Sequence, residues 1–397
     1  MKKAEKTCAE DGCDGDPDPN VPIRSGIMKE TLLRAGTMNL RRLRLPFRCI
    51  EPTFFSGLLD DPVLLLNIRP LGRSVLVDCG QIHHLAKRVL KSVDVLFITH
   101  AHMDHFMGMD TFVRNVHVSP RTIELVGPPG IAGSLAHKLA GYVWNLTEDY
   151  WCSFRVREIS DSAVSTFFLP GPEGFPCRKE GECPRTGRMI YRNDFMTAEA
   201  ELGDHKTPVL IFRFTENPSF QVDESKIEEA GLARGPWLKE LKKLFFRGRL
   251  EEEKLRVLRR RGDSGEESLE DAGTVYRLIR KDRKPASIGY VTDIGFTEEN
   301  LAKVLDLLRG VTLLICECSY LKEEREKARL SYHLCTSDVN FLLRELRPSC
   351  FLPMHLSKTY IHRCHELYEQ LEIPPEVTLV HLPEHVTPRP LLPQEVP

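Results

Sequence analysis

Thr99-His100-Ala101-His102-Met103-Asp104-His105 follows directly on the apolar run Val93-Asp94-Val95-Leu96-Phe97-Ile98. A short run of large apolar residues reads as a buried strand, so the histidines belong to the loop at its C-terminal end. Four metal-ligating side chains within six positions have no packing explanation. Imidazole suits zinc and carboxylate suits harder first-row ions. The loop therefore has the chemistry to hold two adjacent cations, His100 and His102 on one, Asp104 and His105 on the other.

Two cations need further donors, and other strand ends carry them. His205 stands in Gly203-Asp204-His205-Lys206-Thr207, just before a strand expected over 208–214. Asp293 ends Ile288-Gly289-Tyr290-Val291-Thr292-Asp293, and His355 ends Phe351-Leu352-Pro353-Met354-His355. Taken singly, such a histidine is a surface or capping residue, and an aspartate before Ile-Gly is a turn former. Around them the pattern alternates, with strands expected at 63–68, 74–77, 311–316 and 350–353 and helices at 84–92, 337–346 and near 361–371. Thr297 caps another helix, whose Leu301, Val304, Leu305 and Leu308 recur at i, i+3, i+4 and i+7 before Gly310 ends it. Alternating strands and helices place the chain in the α/β class.

Composition sets the outer limits. The 397 residues are 28% charged and 41% hydrophobic, which excludes a disordered or fibrous chain. Lys plus Arg number 55 against 57 Asp plus Glu, a net charge of -2, so a nucleic-acid partner needs a local basic patch. The 12 cysteines form no regular framework and read as thiols of a reducing compartment. The charged N-terminus lacks the apolar centre of a secretory signal, and no stretch approaches the ~18 apolar residues of a membrane span. A cytoplasmic location is expected. Residues 1–45 read as a flexible extension. The charge-dense stretch 247–283 reads as a solvated surface helix and linker. The segment 170–187, which contains Cys177 and Cys183, reads as a surface loop, and Trp237 as a packing anchor.

The order of the candidate donors, from Asp78 in Leu76-Val77-Asp78-Cys79-Gly80 through the His-rich loop to His205, Asp293 and His355, resembles the motif series of the metallo-β-lactamase superfamily. That resemblance implies an αββα sandwich over residues 46–390 with metals at one edge between the sheets. Within the superfamily the chain resembles ribonuclease Z, the tRNA 3′-processing endonuclease. Phe212-Arg213-Phe214, the stretch from Glu216, and Arg234-Gly235-Pro236-Trp237-Leu238-Lys239 look like the family's strand and protruding arm with its Gly-Pro. Cys316-Glu317-Cys318-Ser319 resembles the family's His-Glu-Ala-Thr motif, and His333-Leu334-Cys335-Thr336 its His-Ser-Thr motif. Three departures stand out: the opening Gly-Thr-Ser loop is not visible, Gln81-Ile82 replaces Glu-Gly, and Cys316 replaces a histidine. A cysteine in an apolar strand cannot relay protons at neutral pH as histidine does.

The resemblance implies two divalent ions per chain, Zn2+ first, with Mn2+ or Fe2+ also suited to the donors. His100, His102, Asp104, His105, His205, Asp293 and His355 would hold them, with Asp293 bridging. Asp104 would also orient the attacking hydroxide, and His333 assisted by Glu317 would protonate the departing 3′ oxygen of an RNA phosphodiester. The arm, about 216–248 and followed by a charged insertion at about 249–284, would contact a tRNA precursor through Gly235, Pro236, Lys239, Lys242 and Lys243. The arginines between 256 and 261 would add phosphate contacts. The family also suggests a homodimer in which one subunit's arm serves the other's site. Two alternatives stay open: a hydrolase of a small-molecule phosphodiester or ester, and a non-catalytic RNA-binding relative.

Overall fold

The computed structural model describes residues 45–386 apart from 262, 263 and 283. The expected N-terminal extension, apart from Leu45, and the thiols Cys8 and Cys13 within it lie outside the described residues.

Eight strands make the first sheet in chain order: β1 (Ile50–Phe54), β2 (Leu64–Ile68), β3 (Arg73–Val77), β4 (Val93–Phe97), β5 (Thr122–Gly127), β6 (Ser153–Ile159), β7 (Ala163–Leu169) and β8 (Arg178–Pro184). β3 to β6 are mutually parallel and the outer pairs antiparallel. The segment expected as a loop around Cys177 and Cys183 is in part the edge strand β8, all of whose residues are exposed. Its charged residues leave no apolar face to bury, so it adds backbone pairing and exposed polar contacts, such as Ser165 Oγ donating to Glu182 at 2.7 Å.

The second sheet starts with β9 (Met189–Arg192), β10 (Met196–Asp204) and β11 (Pro208–Glu216). An insertion follows, built on β12 (Leu232–Ala233), β13 (Lys254–Arg261) and β14 (Ser264–Asp271), after which β15 (Ser287–Val291), β16 (Leu313–Glu317), β17 (Cys350–Met354) and β18 (Thr378–Leu379) complete the order β18-β17-β16-β15-β11-β10-β9. β15 to β18 are parallel. Every residue of β15, β16 and β17 is buried, because one face meets the other sheet and the opposite face meets helices.

Phe97 of β4 marks the middle of the sandwich, with its ring 5.4 Å from Phe212, 5.2 Å from Phe214 and 5.7 Å from Tyr191 of the second sheet. Each such edge-on pair contributes about 0.5–1.5 kcal/mol beyond its burial. On the outer face of the first sheet, Leu76, Leu96 and Leu125 pack against Leu90, Phe112 and Leu135 from helices. On the outer face of the second, Ile211, Leu314 and Phe351 pack against Val304, Leu343 and Leu367. The architecture is the expected αββα sandwich.

The insertion has a core of its own. Ile227, Leu232, Trp237, Leu241, Leu255, Val257, Val275 and Ile279 pack together, and Trp237 Nε1 donates to the Ala233 carbonyl at 2.8 Å. Trp237 is thus the anchor that was expected, whereas the solvated helix and linker expected over 247–283 are a β13–β14 hairpin followed by the helix Ala272–Ile279. Leu255 and Val257 alternate with charged residues, and the basic strand β13 lies against the acidic strand β14, with Arg259 opposite Glu266 and Lys254 opposite Asp271. Cross-strand pairs of opposite charge favour a hairpin over an isolated charged helix. The segments that the sequence separates as arm-like and charged therefore share one sheet and one core. The insertion is rooted at Glu216, whose N–H donates to the Ala286 carbonyl at 2.9 Å and whose carboxylate accepts from the N–H groups of Arg48, Cys49 and Ile50.

Candidate metal centre

Asp78 follows β3, the His100–His105 loop follows β4, Asp293 follows β15, Glu317 ends β16 and His355 follows β17, all at C-terminal ends of parallel strands. His205 joins them from the turn between β10 and β11, and the Leu210 N–H donates to the Thr99 carbonyl at 2.9 Å, which locks that turn to the His-rich loop. Asp78, Lys206, Tyr332 and His355 all have φ between 55° and 62°. Non-glycine residues seldom adopt this left-handed backbone, and here they gather at one site, where such strain is characteristic of function. Gly80 permits the approach of the two loops, since a Cβ there would lie 2.4 Å from the Asp104 carbonyl oxygen.

Three overlapping groups of donors result: His100, His102, His205 and Asp293; Asp104, His105, Asp293 and His355; and Asp293, Glu317, His333 and His355. All seven expected ligands and both expected proton-handling residues are brought together. Asp293 Oδ2 lies 3.6 Å from His100 Nε2, 3.4 Å from His105 Nε2 and 3.8 Å from His205 Nε2, while its Oδ1 lies 3.4 Å from His355 Nδ1. His100 Nε2 and His105 Nε2 are buried and have no hydrogen-bond partner among the described residues. Orphaned buried polar atoms cost about 1–3 kcal/mol each, and two of them aimed at one carboxylate fit a site made for cations.

The remaining ring nitrogens are fixed from behind. His105 Nδ1 donates to Asp78 Oδ2 at 2.9 Å, and His205 Nδ1 donates to the Tyr332 carbonyl at 2.6 Å. Thr99 Oγ1 donates to Asp78 at 2.9 Å and stands 3.1 Å from His100 Nδ1. Such contacts set the tautomer and aim each Nε2 lone pair inward. Tyr290 OH completes the Asp78 carboxylate at 3.1 Å. Tyr290 and the partnership of Asp78 with His105 escape the motif reading, although a tyrosine within the run Ile288-Gly289-Tyr290-Val291 already implies a buried acceptor for its hydroxyl.

Burial and the charge of neighbouring His105 push the His100 imidazole down to about 2, leaving it a neutral donor. Burial also lowers His205. For His105 burial is outweighed by the charges of Asp293 and Asp78, which raise it well above the usual imidazole range. Burial opposes ionisation of Asp293, but the His355 and His105 charges hold it well below the usual carboxylate range. In this arrangement protons on His105 and His355 balance the carboxylates, the role that bound cations take over.

Glu317 is fully buried, and its carboxylate accepts from the Ile294 N–H at 2.7 Å, the Ser319 hydroxyl at 2.6 Å and His333 Nδ1 at 2.9 Å. It therefore positions both the Asp293 loop and His333. Burial works against a charged His333, yet the Glu317 carboxylate pushes it up to about 9. Cys316 is buried beside it, and burial pushes its thiol well above the ordinary range, so it relays no proton. A cleft of about 210 Å³ beside the site is lined by Asp61, Asp104, His355 and Lys358.

The expected arm contacts Gly235, Pro236, Lys239, Lys242 and Lys243 do not join this site. Their insertion leaves β11 at Glu216, eight residues beyond Pro208, about 25–30 Å from the His205 turn at ~3.3 Å per residue. Two of the hairpin arginines are matched within the insertion: Arg259 donates to Glu270 at 2.6 Å, and Arg260 lies 3.5 Å from Glu228. Arg259 and Arg260, expected to add phosphate contacts, are thus engaged by carboxylates of the insertion itself. Among the described residues Lys239, Lys242 and Arg256 show no ion pair, while Lys243 is 2.9 Å from Glu240. No helix among the described residues is long and apolar enough to cross a membrane.

Residues 73–183 match the family model of the Beta-lactamase superfamily domain. Ribonuclease Z of Deinococcus radiodurans is 30% identical over 296 residues, covering 72% of this chain and 83% of that protein. Ribonuclease Z of Nanoarchaeum equitans is 21% identical over 314 residues, covering 78% of this chain and 82% of its own. Among solved structures, human tRNase Z, short form, aligns with 83% of this chain and 96% of its own at 13% identity and a TM-score of 0.44.

Proposed function

Since the chain belongs to the ribonuclease Z family and is a metal-dependent hydrolase of the metallo-β-lactamase fold, we propose that it is a binuclear endonuclease that removes the 3′ trailer of tRNA precursors. The observation that carries this reading is the pair of donor groups sharing Asp293, with His100 Nε2 and His105 Nε2 buried and unpartnered. His100, His102, His205 and Asp293 would hold one ion, and Asp104, His105, Asp293 and His355 the other, with Zn2+ the ion that the imidazole-rich donors favour. Two divalent ions there supply Lewis acidity and lower the pKa of water toward ~7.

The chain's own side chains supply the rest. Asp104, half-buried at the mouth of the cleft, accepts from His355 Nε2 at 2.9 Å and offers its other oxygen toward the attacking water. His333, held charged by Glu317, donates a proton to the leaving 3′ oxygen. Glu317 acts through His333 and Ile294 rather than on substrate. Lys239 and Lys242, exposed on the helix Trp237–Phe246, with Gly235 and Pro236 at its start, are the RNA contacts of the arm, and Lys243 joins them if RNA displaces Glu240. The span of β11 between the arm's root and its own His205 turn favours a homodimer in which the arm serves the other subunit. A cytoplasmic location accompanies this reading, and the cysteines Cys49, Cys79, Cys177 and Cys316 being free thiols supports it.

One observation favours hydrolysis of a smaller phosphodiester: two of the hairpin arginines are matched within the insertion. A single experiment separates the two. The protein is incubated with a tRNA precursor carrying a 3′ trailer and, separately, with bis-p-nitrophenyl phosphate, with Asp104→Ala as the control. Cleavage of both by the native protein and of neither by the variant is expected. Hydrolysis of the ester without cleavage of the precursor would remove the tRNA reading and keep the metal chemistry.

A further inference from the structure

A second cleft, about 630 Å³ and larger than the one beside the metal site, opens where the root of the insertion meets the residues leading into β1. Its charge is unlike that of the neighbouring hairpin. Arg48, Lys281 and Lys284 line it and have no side-chain ion pair among the described residues. Its two carboxylates are already engaged: Glu216 accepts from the backbone N–H groups of Arg48, Cys49 and Ile50, and Asp282 pairs with Lys226 at 2.5 Å. One wall is aromatic, formed by Tyr276 and Phe245 with ring centroids 5.1 Å apart, and Phe220 stacks behind Tyr276 at 5.3 Å and 18° to hold its ring. Gln221 also lines the cleft. Its amide donates to the Ser219 hydroxyl at 2.7 Å, and its Oε1 is buried with no hydrogen-bond partner among the described residues. Unmatched cations and an aromatic wall match two parts of a nucleotide, its phosphate and its base.

We propose that this cleft binds a nucleotide, with its phosphate on Arg48, Lys281 and Lys284 and its base against Tyr276 and Phe245. Lying at the Glu216 end of β11, about 25–30 Å from the metal centre, it holds a part of the ligand remote from the bond that is cut. An unpaired nucleotide of an RNA and a free nucleotide share this chemistry. The preference for RNA rests on the hydrolase reading above, and the existence of the site does not. Phosphate contacts of this kind release counterions and give a salt-dependent affinity, while stacking on tyrosine or phenylalanine is tolerant of sequence.

The test is fluorescence anisotropy of the full-length, metal-loaded protein with a labelled hexanucleotide whose linkages carry a methylene in place of the 3′ oxygen, so that no 3′ oxygen can be displaced, and with uridine monophosphate as competitor. Lys281→Glu combined with Lys284→Glu, both at exposed positions, should weaken binding at least tenfold. It should also reduce the slope of log affinity against log salt by about 1.4, two contacts at ~0.7 each for single strands. Tyr276→Leu should weaken binding with the slope unchanged, its folding checked by circular dichroism. Lys87→Glu with Arg88→Glu, the same charge change on exposed positions of a distant helix, should leave affinity within twofold. Affinity unchanged by the reversal at 281 and 284, or an equal loss from the distant pair, would overturn the proposal. A hexanucleotide that binds more tightly than the monophosphate identifies RNA as the ligand, equal affinity identifies a free nucleotide, and either supports the cleft. Because the probe is not cut, a failure to process tRNA precursors leaves this measurement intact.

Discussion

Replacing Asp78 by asparagine changes one atom in a fully buried carboxylate and should disable a metal ligand that Asp78 itself does not provide. Asp78 Oδ1 accepts from Thr99 N at 2.8 Å and Thr99 Oγ1 at 2.9 Å, and Oδ2 accepts from His105 Nδ1 at 2.9 Å and Tyr290 OH at 3.1 Å. In Asp78→Asn the amide oxygen can stay with Thr99, in which case the NH2 group faces His105 Nδ1. That nitrogen must then accept, the ring proton moves to Nε2, and the lone pair aimed at the metal site is lost. The opposite amide orientation keeps His105 but sets NH2 against the Thr99 N–H, a buried donor–donor conflict worth about 1–3 kcal/mol. Partners of this kind typically control metal affinity by 10–100-fold, or about 1.4–2.8 kcal/mol at 1.4 kcal/mol per decade. Competition with a chromophoric chelator measures the first branch, and urea unfolding of the metal-depleted protein measures the second. Metal affinity within twofold of the native value, together with stability within about 0.5 kcal/mol, would refute the role given to Asp78.

The other predictions address the proton donor, the insertion and the ions. His333→Ala should lower precursor cleavage by 10²–10⁴-fold while affecting bis-p-nitrophenyl phosphate far less, because nitrophenolate leaves without a proton; equal losses in the two rate constants would count against a donor role. With His333 held near 9 by Glu317, the acid is present at neutral pH and is lost as pH rises through about 9, so precursor cleavage should decline on that limb of its pH profile. Trp237→Ala removes the buried ring of the insertion's core, a change of about 3–5 kcal/mol. Hydrogen exchange should quicken in 217–284 but not in β15 to β17, and faster exchange throughout would show that the insertion has no independent core. Removing the ions with a chelator should abolish ester hydrolysis and lower the melting temperature, both reversed by Zn2+. Since the carboxylates hold protons on His105 and His355, titration calorimetry should find metal affinity rising with pH and protons released on binding.

Much of the framework is legible because its signals are local. The apolar run of β4 and the His-x-His-x-Asp-His loop behind it are contiguous, and the capping threonine and 3.6-residue period of the helix Glu298–Leu308 sit within a dozen positions. The hairpin of β13 and β14 escapes because its stabilising pairs, Arg259 opposite Glu266 and Lys254 opposite Asp271, are cross-strand contacts, whereas along the chain the same residues read as a charged run. β8 escapes for a related reason, since an edge strand with no buried face has no apolar period to betray it.

The sequence by itself determines which residues are chemically able to bind metal and the α/β alternation that puts them at strand ends. Both are properties of residue type and short-range spacing. Only the tertiary structure decides that His205, Asp293 and His355 converge on the His100–His105 loop, that Asp78 aims His105, and that Glu317 charges His333. Those relations depend on which strand lies beside which, and the 2.9 Å between His355 and Asp104, 251 positions apart, is set by the packing of the two sheets, with no trace in local sequence.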